Sequence, residues 1–181
     1  MTTLTDSKFL TDDELAHLLA LCNRHQGERD SILIRLCLFS GARGAEVIQV
    51  RKRDIGKGCV TVTGAKGSNN RTVPLPPAFF VELEAYSASL KPDDRLFPIA
   101  ARTWRHIFGQ WRPNPKKGGH ALRHTFGVRL YSQSRDIHLL KTALGHVSIR
   151  NSEIYLSFVE GREKLAKATA GMWEAKVDHA S

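Results

Sequence analysis

The sequence contains little that a membrane or secreted protein needs. No apolar run approaches the roughly 20 residues that a membrane-spanning helix requires, and the N-terminal stretch MTTLTDSKFL lacks the basic start and apolar segment of a secretory signal. Only three cysteines occur, an odd number, and none is spaced as CxxC. Reduced thiols, with Cys22 and Cys37 in apolar helical stretches, are therefore expected instead of disulfides or a zinc site. These absences predict a soluble cytoplasmic protein.

Acidic residues are also in the minority. The 181-residue chain carries 27 Lys and Arg against 18 Asp and Glu, a formal net charge of +9, and its pI is near 9.8. This balance favours a polyanionic partner, nucleic acid above all. Because acidic and basic residues are interspersed and no long Lys/Arg tract occurs, charge that serves only solubility is the alternative.

Apolar periodicity predicts a mainly α-helical domain. The first helix begins after Thr11, with Glu14 placed to close a capping box and Leu10 placed to pack onto Leu15. The length suits one domain with a core of its own. Further helices are expected over residues 28–40, 44–50, 78–90, 102–111, 120–133, 137–144 and 148–156, and residues 161–177 are helix-prone.

Two alternating, β-branched stretches predict one small antiparallel sheet after the third helix. CVTVTG (59–64) and RTVPLP (71–76) are the strands, and the segment GAKGSNN between them is a turn that carries Lys66. A lysine on such a turn is most often a solvated surface residue. The predicted fold class is therefore mainly α with a small antiparallel β-sheet, an α+β domain.

Residues 120–125 read HALRHT and follow a glycine pair. His120 and Arg123 are three residues apart, so they share one face at the start of a helix, where free N–H groups and the helix dipole suit a phosphate. Arg123 could bind phosphate oxygens through two parallel hydrogen bonds. Two surface histidines on a capped helix are the ordinary alternative. A zinc site at His120 and His124 is disfavoured because HALRH lacks the glutamate of HExxH and Arg123 would repel a cation.

Three other segments carry polar residues at bends or among apolar neighbours. Arg43 follows the helix-ending Gly41, and Glu46 is placed to orient it by an ion pair. His146 follows the LG of an LGH motif, and Tyr155 has apolar neighbours. Taken singly, these residues fit a surface ion pair, a capping histidine and a core tyrosine equally well.

Taken together and in this order, GARGAEV, the hairpin lysine, HALRHT, LGH and a tyrosine nine residues further on are similar to the tyrosine recombinases, the phage integrase family. The resemblance extends from about Leu10 to beyond Tyr155. It implies the family's catalytic-domain fold and DNA strand cleavage and rejoining, without a metal ion, a cofactor or ATP. The catalytic positions that it implies are Arg43, Lys66, His120, Arg123, His146 and Tyr155.

The resemblance implies that Tyr155 attacks the scissile phosphate and leaves a 3′-phosphotyrosyl link and a free 5′-hydroxyl. Arg43, Arg123 and His146 would hold the non-bridging oxygens. A free tyrosine has a pKa near 10, so its phenolate costs about 4 kcal/mol at pH 7. Neighbouring cations and a base are expected to offset much of this cost, and each fixed arginine can stabilise the transition state by about 3 kcal/mol.

Other polar residues have supporting parts in this interpretation. The resemblance implies that Lys66 protonates the leaving 5′-oxygen, that His120 is a general acid or base near the tyrosine, and that Glu46 supports the site from behind. Basic residues elsewhere are expected to contact DNA phosphates, which positions DNA without reading its sequence; solvated surface charge is the alternative for each. These residues are Lys52, Arg53, Arg71, Lys116, Lys117 and Arg150.

Residues 1–181 are predicted to form a single catalytic domain with a core over residues 10–158. Since the catalytic region begins almost at Met1, the N-terminal core-binding domain common in the family is predicted to be absent, as in an excised catalytic domain or in a short, single-domain member that resembles the invertases. The tail, residues 159–181, carries Leu165, Met172 and Trp173 on one side and is expected to dock into a neighbouring protomer; a helix folded back on its own core is the alternative. Implied partners are double-stranded DNA, a homotetramer on DNA and accessory DNA-bending proteins, with no membrane and a nucleoid-associated location.

Three functions remain distinct at this stage. A site-specific recombinase, integrase or invertase is favoured by the LGH motif and the short chain. A topoisomerase of the tyrosine type that makes the same 3′ link has similar catalytic residues and would relax plasmid without a special site. A non-catalytic DNA-binding regulator with the same fold would bind DNA and form no covalent adduct.

Overall fold

The computed structural model describes residues 4–65, 68–170 and 172, and in this part of the chain eight α-helices surround one small sheet. This architecture confirms the predicted fold class. No helix among the described residues is long and apolar enough to cross a membrane. The helices are α1 Asp12–Arg24, α2 Arg29–Ser40, α3 Gly44–Val47, α4 Pro77–Tyr86, α5 Ala101–Trp111, α6 His120–Ser134, α7 Ile137–Leu144 and α8 Arg150–Ala170, and the strands are β1 Ile55–Gly56, β2 Cys59–Val62 and β3 Arg71–Pro74.

Helix α1 begins as the sequence predicts. The backbone N–H of Glu14 donates to the Thr11 hydroxyl over 3.3 Å, and the N–H of Thr11 donates to the Glu14 carboxylate over 2.9 Å. The capping box is therefore complete. Leu10 and Leu15 on either side of it are both buried in the same apolar core, which anchors the start of the helix.

Helix α2 is the central helix of the larger core. Nine of its twelve residues are buried, as expected for a helix whose apolar residues lie on every face. It ends at Gly41, whose φ of 60° lies in the left-handed region that glycine adopts without strain. The chain reverses there, so the carbonyl of Gly41 and the side chain of Arg43 lie at one bend.

The sheet has three antiparallel strands in the order β1–β2–β3. Val60 pairs with Val73 across β2 and β3, and both face the core together with Val62. The predicted hairpin is present, and Ile55–Gly56 adds a third, short strand beside β2 that the sequence analysis did not predict. Two residues are too few to show alternation, so periodicity could not have revealed it.

Two helices end earlier than predicted. Helix α3 stops at Val47 instead of reaching Val50, because the Val50 carbonyl accepts a hydrogen bond of 3.0 Å from the N–H of Leu96 and the chain leaves the helical path. Helix α4 stops at Tyr86, where the hydroxyl of Ser87 donates to the carbonyl of the preceding turn over 2.8 Å. Both ends are set by contacts that the local pattern does not encode.

Helix α8 is one continuous element, although the sequence predicted a break between residues 156 and 161. Gly161 lies in its interior, where glycine costs only about 1 kcal/mol relative to alanine, so the helix continues through it. Leu165 and Met172 are 65% and 64% exposed, and neither is folded back on the core. Trp173 lies outside the described residues.

Two apolar clusters fill the interior. The larger one joins α1, α2, α4, α5 and the sheet, and it contains the buried free thiols of Cys22 and Cys37, which confirms the prediction of reduced core cysteines. The smaller one ties the N-terminal segment to α6, α7 and α8. Its buried members are Leu4, Phe9, Tyr131, Leu140, Leu144, Tyr155 and Val159.

Candidate active site

A cleft of about 930 Å³ opens where the first turn of α6, the bend after α2, the α7–α8 turn and the middle of α8 converge. It brings together five of the six predicted catalytic residues, and the sixth, Lys66, lies outside the described residues. The polar side chains of the cleft are Arg43, His120, Arg123, His124, His146, Arg150 and Tyr155.

Arg123 is the buried cation of the cleft. Its side chain donates from Nη1 to the Gly41 carbonyl and from Nη2 to the Leu144 carbonyl, each over 2.8 Å. These carbonyls end helices α2 and α7, whose dipoles place partial negative charge there. Burial and then the nearby Arg43 lower the pKa of Arg123 to about 10, so it stays charged at neutral pH. The two bonds use two of the five donors of a guanidinium.

Glu46 organises the second guanidinium. Its carboxylate is buried and accepts hydrogen bonds from Arg43 Nη1 at 3.2 Å and from Arg71 Nη2 at 2.8 Å. Burial raises the pKa of Glu46, but the hydrogen bond from Arg71 and the backbone bond from Arg43 outweigh it and hold the pKa at about 2. The carboxylate is therefore ionised and fixes the direction of Arg43, as the sequence predicted.

Residues 66 and 67 lie outside the described part of the chain, but the residues on either side of them are hydrogen-bonded to groups of the cleft. The N–H of Ala65 donates to Glu46 over 3.3 Å, and the hydroxyl of Ser68 accepts a hydrogen bond from Arg43. Ser68 also forms an isolated antiparallel bridge with His146. The neighbours of Lys66 thus lie beside the groups that the resemblance assigns to phosphate binding.

His146 is buried and neutral. Its Nδ1 lies 2.8 Å from the Ser152 hydroxyl, and burial followed by Arg123 and Arg43 lowers its pKa to about 4. When the hydroxyl donates to Nδ1, the proton of the neutral ring is on Nε2. This arrangement allows His146 to donate a hydrogen bond to an oxyanion in the cleft.

Tyr155 is 1% exposed, and its hydroxyl lies 3.0 Å from Nδ1 of His124. Burial raises the pKa of Tyr155 to about 12, although Arg123 and Arg43 act in the opposite direction. The cations act as the sequence analysis expected, but burial outweighs them. His146 is the second imidazole beside the phenol, with ring centroids 6.5 Å apart.

His120 lies at the first position of α6 and is exposed at the cleft. It lines the cleft together with Arg43 and Arg123, and partial desolvation followed by these two cations lowers its pKa. The imidazole that contacts the tyrosine hydroxyl is instead His124. The sequence analysis considered His124 only as a zinc ligand. Its i, i+4 spacing from His120, which puts both residues on one side of α6, was the sequence feature that could have indicated a place in the site. No three His, Cys, Asp or Glu side chains cluster as metal ligands anywhere in the described ranges.

Two of the six predicted DNA contacts are corrected by their burial. Arg71 is 6% exposed in its ion pair with Glu46, and Lys117 is 5% exposed with its Nζ 2.6 Å from Glu14. A cation that is buried and paired inside the protein does not present its charge to a phosphate outside. Spacing alone could not show this, because the acidic partner of Lys117 is 103 residues away in sequence.

The other four basic residues are at least partly accessible. Lys116 and Arg150 are exposed, and Arg150 lines the cleft. Lys52 donates to a serine hydroxyl over 2.9 Å, and Arg53 is exposed in an ion pair with Asp93. Arg150 is therefore the best placed of the four to contact a ligand in the cleft.

We predict that acid weakens the fold between pH 6.5 and about 4 through His146. Its pKa is about 4 in the folded protein, against an ordinary value of 6.5 that applies to the unfolded chain. As the pH is lowered below 6.5, the unfolded chain therefore binds the proton first, and the free energy of unfolding decreases. At 1.36 kcal/mol per pKa unit, the full effect is at most about 3 kcal/mol. His146→Asn keeps a partner for Ser152 and should show a flatter dependence of the melting temperature on pH across this window. An unchanged slope would contradict the assignment.

The mainly α scaffold with one small sheet is the catalytic-domain fold of the tyrosine recombinases. Its cleft holds a buried tyrosine beside guanidinium and imidazole groups. The chain belongs to the phage integrase family, which its sequence matches over residues 8–160. It is 31% identical over 159 residues to the integrase of Escherichia phage 186, an alignment that covers 83% of this chain and 44% of that protein.

Solved structures agree with the family. The structure of XerH site-specific recombinase bound to palindromic difH substrate, a post-cleavage complex, superposes with a TM-score of 0.69 at 27% identity over 94% of this chain and 54% of that one. The catalytic domain of bacteriophage HP1 integrase gives a TM-score of 0.65 at 26% identity over 91% and 96%. The chain thus spans about half the length of the phage 186 and XerH proteins.

Proposed function

We propose that this chain is the catalytic domain of a site-specific DNA recombinase, which cleaves and rejoins strands of double-stranded DNA through a 3′-phosphotyrosyl intermediate. One observation carries the proposal: a single cleft holds Tyr155 together with Arg43, Arg123 and His146. The XerH recombinase to which the chain is similar has been solved bound to palindromic difH substrate, as a post-cleavage complex. The close match in extent to the HP1 catalytic domain supports the assignment as a catalytic domain.

The proposed chemistry follows from the charges in the cleft. The Tyr155 hydroxyl attacks the scissile phosphorus, and the transition state gathers negative charge on the non-bridging oxygens. Arg43 and Arg123 stabilise that charge, each by about 3 kcal/mol if it acts like a donor of an oxyanion hole, and His146 adds a hydrogen bond from Nε2. Because these side chains supply the positive charge and the ester keeps the bond energy, the proposal requires neither a metal ion nor ATP.

The remaining site residues have proposed roles that their neighbourhood supports. Lys66 is the general acid for the leaving 5′-oxygen, since Ala65, just before it, and Ser68, two residues after it, are hydrogen-bonded to Glu46 and Arg43. Glu46 is a positioning residue for Arg43. His120, beside the two guanidinium groups, serves acid–base chemistry at the phosphate. Lys52, Arg53, Lys116 and Arg150 are proposed contacts to DNA phosphates.

Assembly is also part of the proposal. Recombination joins two duplexes, so a homotetramer on DNA is the expected working form, with accessory DNA-bending proteins where the site requires them and an association with the nucleoid. The apolar side chains of Leu165 on α8 and of Met172, two residues beyond its end, are exposed to solvent and support docking of the tail on a neighbouring protomer.

Covalent trapping tests the function. A pool of nicked suicide duplexes with randomised inverted repeats, incubated with the protein and a chelator, should yield a protein–DNA band on a denaturing gel. Tyr155→Phe should abolish that band while retaining binding to DNA, since it removes one oxygen from a buried ring. Binding without an adduct from the unmodified chain would support the regulator instead, and relaxation of plasmid lacking any recovered site would support the topoisomerase.

A further inference from the structure

The two histidines of HALRHT both line the cleft, but they have different neighbours. His124 Nδ1 lies 3.0 Å from the Tyr155 hydroxyl, with ring centroids 5.8 Å apart. His120, one turn earlier, lines the cleft together with Arg43 and Arg123. Of the two imidazoles, His124 is therefore the one that contacts the nucleophile.

We propose that His124 is the catalytic base that accepts the proton of Tyr155 during strand cleavage and returns it during rejoining. This rests on the proposed function. In cleavage, the Tyr155 oxygen forms a bond to phosphorus, its proton moves to His124 Nδ1, and the bond from phosphorus to the 5′-oxygen breaks. The leaving oxygen takes a proton from Lys66, the proposed general acid. Rejoining reverses each transfer, so the protein regains its starting protonation state.

The protonation states of the pair suit this step. Burial and then His120, Arg123 and Lys8 lower the pKa of His124 to about 4, so the imidazole has a free lone pair at neutral pH. The raised pKa of Tyr155 keeps the proton on the phenol until attack. Transfer of the phenol proton from Tyr155 to His124 is unfavourable by itself, because the pKa of the phenol is far above that of the imidazole. The transfer must therefore be concerted with formation of the oxygen–phosphorus bond, which leaves an ester oxygen that carries no proton. The charged and titratable groups that face His124 are His120, Arg123, Lys8, Tyr155 and His146.

Packing holds the pair in this geometry. The Tyr155 ring is 1% exposed and lies against Gly127, one turn after His124 on α6. A Cβ atom on Gly127 would lie 2.7 Å from the tyrosine Cζ, which shows how closely the ring approaches the helix backbone. The direction of the hydroxyl toward His124 is therefore set by the contact between α6 and α8.

Two variants of His124 separate proton transfer from positioning. In His124→Asn the side-chain amide replaces Nδ1 and keeps a hydrogen bond to the phenol but cannot take its proton; His124→Ala removes both. We expect each to slow single-turnover adduct formation by about 10²- to 10⁴-fold, the usual range for acid–base catalysis, with DNA binding changed by less than about twofold. His17→Asn, an exposed histidine on α1, is the matched control and should behave like the unmodified protein.

The decisive readout is rescue by a more acidic nucleophile. A fluorinated tyrosine at position 155 releases its proton more easily and should recover much of the rate in His124→Asn, with little gain in the unmodified protein. The unmodified rate should also fall at acidic pH as His124 is protonated, and this limb should be lost in His124→Asn. A full rate in His124→Asn, or a slow rate that fluorination does not raise, would overturn the inference. If the unmodified protein forms no adduct at all, the proposed function itself fails.

Discussion

Replacing Glu46 by alanine is expected to lower the free energy of unfolding by about 3–5 kcal/mol, the cost of removing one partner from a buried ion pair. Both side chains of the Glu46–Arg71 pair are at most 2% exposed. In the part of the chain that the structure describes, Arg71 has two further nitrogens, Nε and Nη1, with no hydrogen-bond partner. Loss of the carboxylate therefore leaves a buried, uncompensated cation.

The control for this prediction is a surface pair. Glu163→Ala removes the exposed partner of Arg135 and should change the stability far less, since an ion pair in solvent contributes little. Urea unfolding of both variants measures the difference. Removing both members of the buried pair, as in Glu46→Leu with Arg71→Leu, should cost less than Glu46→Ala alone, since no charge is left unpaired. Similar stabilities for Glu46→Ala and Glu163→Ala would contradict the burial argument.

Replacing Gly127 by alanine is expected to displace the nucleophile. The added methyl group would meet the Tyr155 ring, with its Cβ 2.7 Å from Cζ and 3.0 Å from Cδ1, closer than carbon atoms approach without repulsion. Overpacking of this kind costs about 1–3 kcal/mol. A shift of about 1 Å in a reacting group can slow a reaction by roughly 10²-fold, so we expect a comparable loss of adduct formation on the suicide duplex.

Gly161→Ala provides the matched comparison. This glycine lies on α8 beyond Tyr155, and an added Cβ would meet nothing within 4 Å. Alanine there should stabilise the helix by about 0.5–1 kcal/mol and leave adduct formation unchanged. Thermal unfolding and single-turnover assays on both variants separate a steric effect on the tyrosine from the general effect of glycine in a helix. Equal behaviour of the two variants would refute the steric account.

The sequence predicted the structure best where a helix start or end is encoded by a few neighbouring residues. The capping box at Thr11, the helix ends at Gly41 and Gly145, and the start of α6 at His120 are local signals, and the structure contains each of them. Several of these turns and helix ends lie beside the cleft, so ordered motifs were sufficient to indicate the fold class and five of the polar residues in the cleft. The roles of the individual residues remain proposals.

Local sequence signals did not predict the burial or the contacts of residues whose partners lie far away in the sequence. Lys117 has the appearance of a surface lysine on a Gly/Pro loop, yet Glu14 from the first helix neutralises it. Arg71 has the appearance of an exposed residue on a hairpin, yet it is buried against Glu46. The contact of His124 with Tyr155 spans 31 residues, and helical spacing gave no means of choosing between His120 and His124 as the partner of the phenol.

The sequence by itself determined the fold class, the family and five of the polar residues that meet in the cleft, because helix signals and motif order are encoded within a few residues of each position. Only the tertiary structure decided which basic residues face inward, which imidazole contacts the tyrosine, and that Gly127 makes room for the ring. Those outcomes depend on pairings between segments far apart in the chain, where burial and charge compensation select one neighbour from several that the sequence allows.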